Sequence, residues 1–247
     1  MVFKNEEEMI VLKNLTKKFG SFTAVDDLSL EIPDGEFFGF LGPNGAGKTT
    51  TIKMMTGLFA PTSGSVTVNG FDIQKQPLEA KSTFGYIPDQ PFLYDKLTGR
   101  EFLYYIGGLF KMPKETIRRE IDKLVDHFEI GDWVDKRSED YSQGMRQRIT
   151  IAAAFVHSPR TIIIDEPMVG LDPRSARIVK DSLKQKSKEG AAIFMSTHNM
   201  EIVEELCDRI GIIKDGKLIF LDTKENLHHH KSKFDGKLES VFLELTK

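Results

Sequence analysis

The chain has little of what secreted, membrane-spanning or nucleic-acid-binding proteins need. Among its 247 residues Cys207 is the only cysteine, which excludes a disulfide framework and a thiolate metal cluster and favours a reducing, cytosolic setting. No apolar run approaches the roughly 18 residues of a spanning helix, and the N-terminus is acidic where a signal peptide would be basic. The formal net charge of −3 provides no basic excess, so no nucleic-acid partner is expected.

The chain does have the composition and patterning of a globular α/β protein. Hydrophobic residues make up 40% and charged residues 29%. Apolar runs bounded by Gly, Asp and Pro predict strands over residues 9–12, 28–32, 36–41, 65–69, 83–87, 161–164, 192–196 and 210–213. Helical spacing dominates residues 98–156 and returns after Pro173 and after Asn199. This alternation predicts a mostly parallel sheet covered by helices, preceded by a β-rich segment.

A glycine-rich loop is the most informative segment. It fits the pattern G-x-x-x-x-G-K-[ST], and its residues with the one that follows are Gly42, Pro43, Asn44, Gly45, Ala46, Gly47, Lys48, Thr49 and Thr50. A predicted strand precedes the loop and a helical pattern follows it, so backbone N–H groups and a helix N-terminus converge on one point and form an anion site. Lys48 would add a charge for the outer phosphates, and the Thr49 hydroxyl would bind Mg²⁺. The alternative is a glycine-rich turn that matches by chance.

Two carboxylates follow a buried strand further along the chain. Three isoleucines precede Asp165 and Glu166, and ligands of open α/β sheets lie beyond the carboxyl ends of the strands. Asp165 could hold Mg²⁺ through water beside Thr49, and Glu166 could accept a proton from an attacking water. The alternative is a solvated acidic turn, but the glycine loop upstream favours the functional interpretation.

With these two motifs the chain resembles the nucleotide-binding subunit of an ATP-binding cassette (ABC) transporter over residues 9–220. The resemblance extends to a signature motif, Tyr141-Ser142-Gln143-Gly144-Met145-Arg146-Gln147-Arg148. It departs at Tyr141, Gln143 and Met145 from the common form Leu-Ser-Gly-Gly-Gln and keeps Ser142 and Gly144. In the family, the signature closes on the γ-phosphate held by a second subunit.

The resemblance also implies roles for single residues. Asp172 falls in a loop that communicates between the two sites and is also a good helix N-cap before Pro173. His198 matches a histidine that contacts the γ-phosphate. Phe19 either stacks on adenine or belongs to the core. A metal-contacting loop normally carries glutamine, and the spacing here gives Asp89 as the first candidate and Gln90 as the second.

The family implies a fold, a reaction and partners. We expect a P-loop NTPase with a mostly parallel sheet, an N-terminal antiparallel β-subdomain and an α-helical insert. Within one domain, residues 1–89 and 159–225 would form the core, 90–158 the helical subdomain and 226–247 a helical tail, with His228-His229-His230 as a solvated helix end.

ATP with Mg²⁺ would be hydrolysed by Glu166 and His198 in a homo- or heterodimer. The dimer would power a separately encoded transmembrane permease at the inner face of the cell membrane. The residues of the glycine loop and of the signature are similar to those of the bacterial multidrug or ABC-2-type exporters. The alternative is a soluble ABC ATPase that acts on ribosomes or DNA.

Overall fold

The computed structural model describes residues 8–168, 170–223, 226 and 242–244. The predicted C-terminal tail, including His228-His229-His230, lies outside the described residues apart from positions 226 and 242–244. No helix in the described part of the chain is both long and apolar enough to cross a membrane.

Ten strands and seven α-helices are described within these ranges. The strands are β1 (Glu8–Phe19), β2 (Phe22–Pro33), β3 (Phe37–Leu41), β4 (Ser63–Val68), β5 (Phe71–Asp72), β6 (Phe84–Ile87), β7 (Thr161–Asp165), β8 (Ala192–Thr197), β9 (Arg209–Lys214) and β10 (Lys217–Thr223). The helices are α1 (Lys48–Met55), α2 (Pro77–Lys81), α3 (Gly99–Leu109), α4 (Lys114–His127), α5 (Gln143–Phe155), α6 (Pro173–Lys188) and α7 (Met200–Leu206).

Four strands form an antiparallel sheet in the order β2-β1-β4-β5. In the chain they come before all the other elements except β3 and α1, which lie between β2 and β4. Strands β1 and β2 are longer than predicted. The pairing of β1 with β2 shifts register between Leu12 and Leu15, and Asn14 there has a φ of 47°. Asn tolerates this left-handed backbone, and its Nδ2 donates to Asp27 Oδ1 at 2.9 Å. The irregularity interrupts the period-two pattern without ending the strand, so the sequence pattern stops too early.

The main sheet has the order β10-β9-β3-β8-β7-β6 and is parallel except for β10. Both faces of its central strands are buried. In β7, Ile162 and Ile164 pack into one core cluster and Ile163 into the other, as the alternation of side chains along a strand requires. Strand β10 was not predicted. It forms a hairpin with β9 through the turn Asp215-Gly216, where both residues have positive φ.

Helices α3, α4 and α5 lie between β6 and β7 in the chain and form the predicted helical insert. α3 begins with a complete capping box, in which the Thr98 hydroxyl accepts from Glu101 N and the Glu101 carboxylate accepts from Thr98 N. The apolar face of α4, including Ile117, Ile121 and Val125, joins the same core cluster as the helix-covered face of the sheet. The insert is therefore packed on the sheet rather than tethered to it.

Candidate functional site

The carboxyl ends of three neighbouring strands form the candidate site. β3, β8 and β7 lie side by side, and they lead into the glycine loop, His198 and the Asp165-Glu166 pair respectively. A cavity of about 500 Å³ opens there. Its lining residues are Phe19, Phe22, Ala24, Asn44, Gly45, Gly47, Lys48, Thr49, Thr50, Asp89, Asp165, Glu166 and His198.

Most residues predicted for the site therefore share one cavity. Gly42, Pro43 and Ala46 belong to the glycine loop without lining the cavity, and Gln90, Ser142, Gly144 and Asp172 also lie outside its lining. Of the two candidates in the metal-contacting loop, Asp89 is the one that lines the cavity. The site thus contains the loop, the strand-end carboxylates and the histidine, but not the signature.

The glycine loop needs its glycines at the start of α1. Gly47 has a φ of 111°, and a Cβ there would lie 2.5 Å from the Ala24 carbonyl oxygen. Gly47 is also the N-cap of α1, which has neither a side-chain cap nor an acidic residue in its first turn. A helix N-terminus without a cap keeps its amides and the positive end of its dipole available to an anion.

Lys48 is a buried cation that hydrogen-bonds to backbone. Its Nζ donates to the carbonyl oxygens of Gly42 at 2.6 Å and Pro43 at 3.1 Å. Burial lowers the pKa of Lys48, while the charges of Glu166 and Asp165 raise it. The ammonium group lines the cavity together with the free amides of α1, so it is placed to meet an anion.

Asp165 has the features of a metal-binding carboxylate. Its Oδ1 accepts a hydrogen bond from Ser196 Oγ, while Oδ2 is buried and has no hydrogen-bond partner of normal geometry among the described residues. Burial raises the pKa of Asp165, the hydroxyls of Ser196 and Thr49 lower it, and Asp89 and Glu166 raise it further. An unused carboxylate oxygen beside a hydroxyl and other acids is a donor set that suits Mg²⁺.

The protein groups alone do not complete a metal site. The described residues contain no group of three or more His, Cys, Asp and Glu side chains that could hold a metal ion. Mg²⁺ commonly binds one or two carboxylates and takes its other ligands from water and phosphate. The donor set therefore fits a Mg²⁺ that arrives with a nucleotide.

Glu166 and His198 are in direct contact at the mouth of the cavity. His198 Nδ1 lies 2.7 Å from Glu166 Oε1, and Thr197 Oγ1 donates to Glu166 Oε2 at 3.2 Å. The Glu166 backbone has a φ of 49°, and its amide donates to the Ser196 carbonyl oxygen at 3.1 Å. A left-handed backbone is uncommon and unfavourable for a residue with a long side chain. The surrounding structure therefore holds Glu166 in an unfavourable backbone conformation that sets the direction of its carboxylate.

The signature begins helix α5, as predicted. The Ser142 hydroxyl accepts from Met145 N at 3.3 Å, and the first turn of α5 has no acidic residue. A Cβ on Gly144 would lie 2.9 Å from the Gly170 carbonyl oxygen, so glycine allows the close approach of the segment before α6. The side chain of Gln147, one turn on, is buried and donates to the Pro167 carbonyl oxygen at 2.9 Å. The signature helix is thereby joined to the segment that follows Glu166.

Tyr141, where the signature departs from its common form, and Asp172, where a family motif coincides with a helix N-cap, both have structural explanations. Tyr141 is buried, its hydroxyl accepts from Gly99 N at 3.0 Å, and it lies 3.1 Å from the Val134 carbonyl oxygen, so it anchors the loop before the signature to the start of α3. Asp172 caps α6, since its Oδ1 accepts from Arg174 N at 3.0 Å and from Ser175 N at 3.1 Å. The N-cap predicted for Asp172 is present.

Phe19 and Phe22 form the part of the wall that the motifs do not describe. Phe19, which could equally have been a core residue, is 46% exposed and lines the cavity. Phe22 is 62% exposed, lines it as well, and was missed by the sequence analysis. Its signal was available: a second phenylalanine after the two-residue Gly20-Ser21 turn is the cross-strand partner of Phe19.

Comparison with known proteins identifies the family of this chain. A model of the family described as ABC transporter matches residues 25–169. The chain is 38% identical to the ABC transporter ATP-binding protein NatA of Bacillus subtilis over 240 residues, which cover 95% of this chain and 97% of the relative. It is also 38% identical to the linearmycin resistance ATP-binding protein LnrL of Bacillus subtilis over 219 residues, 89% of this chain and 70% of the relative.

Solved structures show the same fold. An ATP-binding subunit of an ABC transporter superposes with a TM-score of 0.91 at 29% identity and covers 97% of this chain and 100% of that one. A dimeric post-hydrolysis state of the ATP-binding cassette MJ0796, bound to ADP and Pi, superposes with a TM-score of 0.79 at 25% identity over 87% of this chain and 99% of that one. The predicted P-loop α/β fold is confirmed, and the chain belongs to the ATP-binding subunits of the ABC transporter family.

Proposed function

We propose that this chain is the ATP-hydrolysing motor of a membrane exporter and that it works as a head-to-tail dimer. The family membership makes it an ATPase that binds ATP. The observation that carries the proposal for this chain is the single cavity that joins the uncapped N-terminus of α1, Lys48, Asp165, Glu166 and His198. Export as the direction is supported by the similarity to LnrL, whose name assigns it to linearmycin resistance.

Binding of the phosphates falls to the glycine loop. The free amides at the start of α1 and the Lys48 ammonium would hold the phosphate oxygens, and the Asp165 Oδ2 and the Thr49 hydroxyl would hold Mg²⁺. When bound, the metal would neutralise phosphate charge. Phosphoryl transfer requires little covalent chemistry from the protein, so placement and charge dominate.

Glu166 is the group proposed to orient the attacking water and accept its proton. The His198 and Thr197 contacts occupy one oxygen each, and together they restrict rotation of the carboxylate. His198 is proposed to contact the γ-phosphate through the ring nitrogen that does not face Glu166. The side chain of Glu166 is 20% exposed, which keeps it open to the cavity without burying its charge.

The signature is proposed to complete the site of a second subunit. Ser142 and Gly144 do not line the cavity of their own chain, although the α5 N-terminus has the amides and the acid-free first turn of an anion site. A second, identical or related cassette would bring its signature to the γ-phosphate. ATP would then close the dimer, and Asp172, near the start of α6, would lie in the segment between the two sites.

A groove beside the helical insert is proposed to receive the permease. It has a volume of about 370 Å³ and is lined largely by apolar side chains, among them Leu58, Phe92, Phe102 and Ile106. Phe92 is 70% and Leu58 58% exposed, a contiguous apolar surface of the kind that marks a partner site. Lys81 is the lining cation, so the fitting occupant is an apolar permease segment with an acidic residue, at the inner face of the membrane.

The discriminating experiment on the chemistry is Glu166→Gln. We expect retained ATP binding and ATP-dependent dimerisation, with hydrolysis reduced by about 100-fold or more because the proton acceptor is lost. Glu79→Gln, an exposed glutamate on α2, is the matched control and should hydrolyse ATP as the wild type does. Unchanged turnover in Glu166→Gln would overturn the role of Glu166.

The alternative, a soluble ATPase that acts on ribosomes or DNA, is less favoured because the net charge is −3 and the relatives reported above include transporter subunits. Purification from detergent extracts separates the two. We expect a multispanning membrane protein to co-purify with the wild type. Recovery of ribosomes in its place would refute the transport proposal.

A further inference from the structure

The chain contains the dipeptide Asn-Gly twice, at Asn44-Gly45 in the glycine loop and at Asn69-Gly70 in the turn between β4 and β5. In this dipeptide the backbone nitrogen of the glycine can attack the side-chain carbonyl carbon of the asparagine, because glycine has no Cβ to block the approach and its backbone rotates freely. The attack releases ammonia and converts the asparagine into an acid. In a folded protein its rate depends on how firmly the two reacting groups are held.

Asn44 and Gly45 lie in an open turn of the glycine loop. The Pro43 carbonyl oxygen accepts from the Ala46 amide at 3.2 Å and Gly45 has a φ of 81°, which suit a type II turn. Asn44 and Gly45 are both exposed, and a Cβ on Gly45 would meet no atom within 4 Å. Among the described residues no hydrogen-bond partner is found for the Asn44 side chain or the Gly45 amide. The two reacting groups can therefore approach each other.

Positive charge surrounds this turn. Lys48 Nζ lies 3.1 Å from the carbonyl oxygen of Pro43, the residue before Asn44, and Gly47 is the N-cap of α1 without a side-chain cap. The attack begins when the Gly45 amide loses its proton, and it passes through an oxyanion on the Asn44 side chain. An ammonium group and a helix N-terminus nearby both stabilise such negative charge. The features that suit the loop to phosphate therefore also favour this reaction.

Asn69 is the opposite case within the same chain. Its Nδ2 donates to Thr83 Oγ1 at 2.7 Å and to the Thr83 carbonyl oxygen at 3.2 Å, and its Oδ1 accepts from Thr161 Oγ1 at 2.8 Å. Its backbone amide donates to the Met9 carbonyl oxygen at 2.7 Å. The side chain is held at both its nitrogen and its oxygen, so these bonds must break before it can reach the Gly70 amide. Asn69 should therefore react slowly.

We propose that Asn44 is a site of spontaneous deamidation, which disables the empty phosphate loop and against which bound nucleotide protects it. The Gly45 nitrogen forms a bond to Asn44 Cγ, and the bond from Cγ to the side-chain nitrogen breaks. That nitrogen leaves as ammonia with the proton from the Gly45 amide. Water then opens the resulting succinimide at either of its carbonyl carbons and leaves aspartate or isoaspartate. One water is consumed and one ammonia is released, with no oxidation or reduction.

Neither product suits a phosphate. Aspartate adds a negative charge to a residue that lines the cavity, and isoaspartate lengthens the backbone by one carbon and so displaces the amides that follow. Bound phosphate oxygens would accept from the loop amides, including that of Gly45, which then keeps its proton. The inference rests on the proposed nucleotide site and adds a dependence on occupancy: an empty subunit loses its phosphate site with time, whereas a loaded one keeps it.

The test incubates the full chain for days under mildly alkaline conditions, either empty or with Mg²⁺ and a non-hydrolysable ATP analogue. Trypsin places the two asparagines on separate peptides, residues 19–48 and 54–75, and mass spectrometry measures the exchange of amide for acid in each. In the empty protein we expect Asn44 to react at least about tenfold faster than Asn69, a factor that the hydrogen bonds of Asn69 would supply. With the analogue at about 100 times its Kd, Asn44 should react about 100-fold more slowly and Asn69 at its former rate.

Equilibrium ATP binding connects the modification to function. The fraction of chains that bind ATP should fall in step with the fraction modified at Asn44. Asn44→Asp, which copies one product, should bind ATP about tenfold or more weakly than the fresh wild type. Asn44→Ser has no carboxamide to be attacked, so whatever affinity it starts with should not decline during the incubation. Thermal unfolding of the incubated samples checks that lost binding is not lost folding.

The possible results separate the inference from the function on which it rests. Equal rates at Asn44 and Asn69 would overturn the reactivity of the loop, and an unchanged rate at Asn44 with the analogue would overturn the protection. Modified chains that still bind ATP as the fresh wild type does would show that the loop is not disabled. If the fresh wild type bound no nucleotide, the proposed nucleotide site itself would fail, whatever the rate at Asn44.

Discussion

The nucleotide cavity and the apolar groove share one short segment of chain and differ in chemistry. Tyr86 and Pro88 line the groove, and Asp89, the next residue, lines the cavity. The cavity is lined by charged groups, among them Lys48, Asp165 and Glu166, whereas the groove is lined mainly by aromatic rings and aliphatic side chains. One segment therefore touches both the place proposed for ATP and the place proposed for the permease.

The threonine hydroxyls of the groove are hydrogen-bonded internally, whereas the cavity contains a carboxylate oxygen and helix amides that are not. In the groove, the Thr56 hydroxyl donates to the Ile52 carbonyl oxygen at 2.9 Å and the Thr150 hydroxyl to the Arg146 carbonyl oxygen at 3.0 Å. In the cavity, Asp165 Oδ2 and the amides of α1 keep unused capacity. A surface whose hydroxyls are satisfied internally suits an apolar partner, whereas unused polar capacity suits a charged ligand.

The largest effect in this comparison is expected for Lys48→Ala. Removing the ammonium deletes charge-assisted hydrogen bonds to phosphate, so ATP affinity should fall by about 100-fold or more in equilibrium binding. Thermal unfolding of the variant checks that the loss of affinity is not a loss of folding. Lys75→Ala, whose side chain is 82% exposed on the surface, is the control. An ATP affinity within threefold of the wild type would show that Lys48 does not bind phosphate.

The difference between the regions explains what the sequence could predict. The glycine loop and the Asp165-Glu166 pair are contiguous motifs whose function depends on the local backbone conformation. They can therefore be recognised from the sequence alone. The groove is assembled from single residues far apart in the chain, such as Leu58, Phe92 and His157. None of them belongs to a sequence pattern, so a shared surface could not be predicted from the sequence.

The fold shows the same division. The alternation of strands and helices predicted the five parallel strands of the main sheet, because strands such as β3 and β7 are short, continuous apolar runs. The prediction was wrong where backbone geometry decided. Asn14 carries β1 through an irregularity that the pattern treats as an end, and the Asp215-Gly216 turn adds β10, whose alternating exposure gives a weak apolar signal.

The second effect, intermediate in size, concerns His157 in the wall of the groove. Its ring stacks on Phe110 at a centroid distance of 3.6 Å, its Nε2 lies 3.2 Å from the Phe84 carbonyl oxygen, and its Nδ1 is buried without a partner among the described residues. Burial lowers the pKa of His157 to about 4, against a smaller rise from the Phe84 contact. As the pH falls below 6.5, His157 therefore binds a proton in the unfolded chain, whereas in the folded chain it stays neutral until about pH 4.

The sign of the pH effect follows directly. The stabilisation is present above pH 6.5 and is lost as pH falls toward 4, amounting to about 2 kcal/mol by pH 5. Urea unfolding between pH 7.5 and 5 should show this loss in the wild type and about 2 kcal/mol less of it in His157→Phe, which keeps the stacked ring. ATP binding at pH 7.5 should be equal in the two proteins. Parallel stability curves would contradict the neutral, buried state of His157.

The smallest effect tests whether the two regions are separable. Phe92 is 70% exposed, lies at the groove and contacts only the edge of Tyr94 among the described rings, at a centroid distance of 5.6 Å. Phe92→Asp adds a charge to the apolar surface without disturbing the core. It should weaken binding of the purified permease in detergent by about tenfold, since a desolvated charge opposes an apolar contact. Leu78→Asp, 80% exposed and outside the groove, is the matched control and should bind normally.

The informative readout is the pair of affinities measured on the same variant. Because the side chain of Phe92 does not line the cavity, Phe92→Asp should bind ATP as tightly as the wild type while it binds the permease more weakly. Unchanged permease binding would remove the groove as the docking surface. A loss of ATP affinity in the free protein would mean that the segment from Tyr86 through Asp89 to Phe92 moves as one unit, so that the groove and the cavity are a single coupled region.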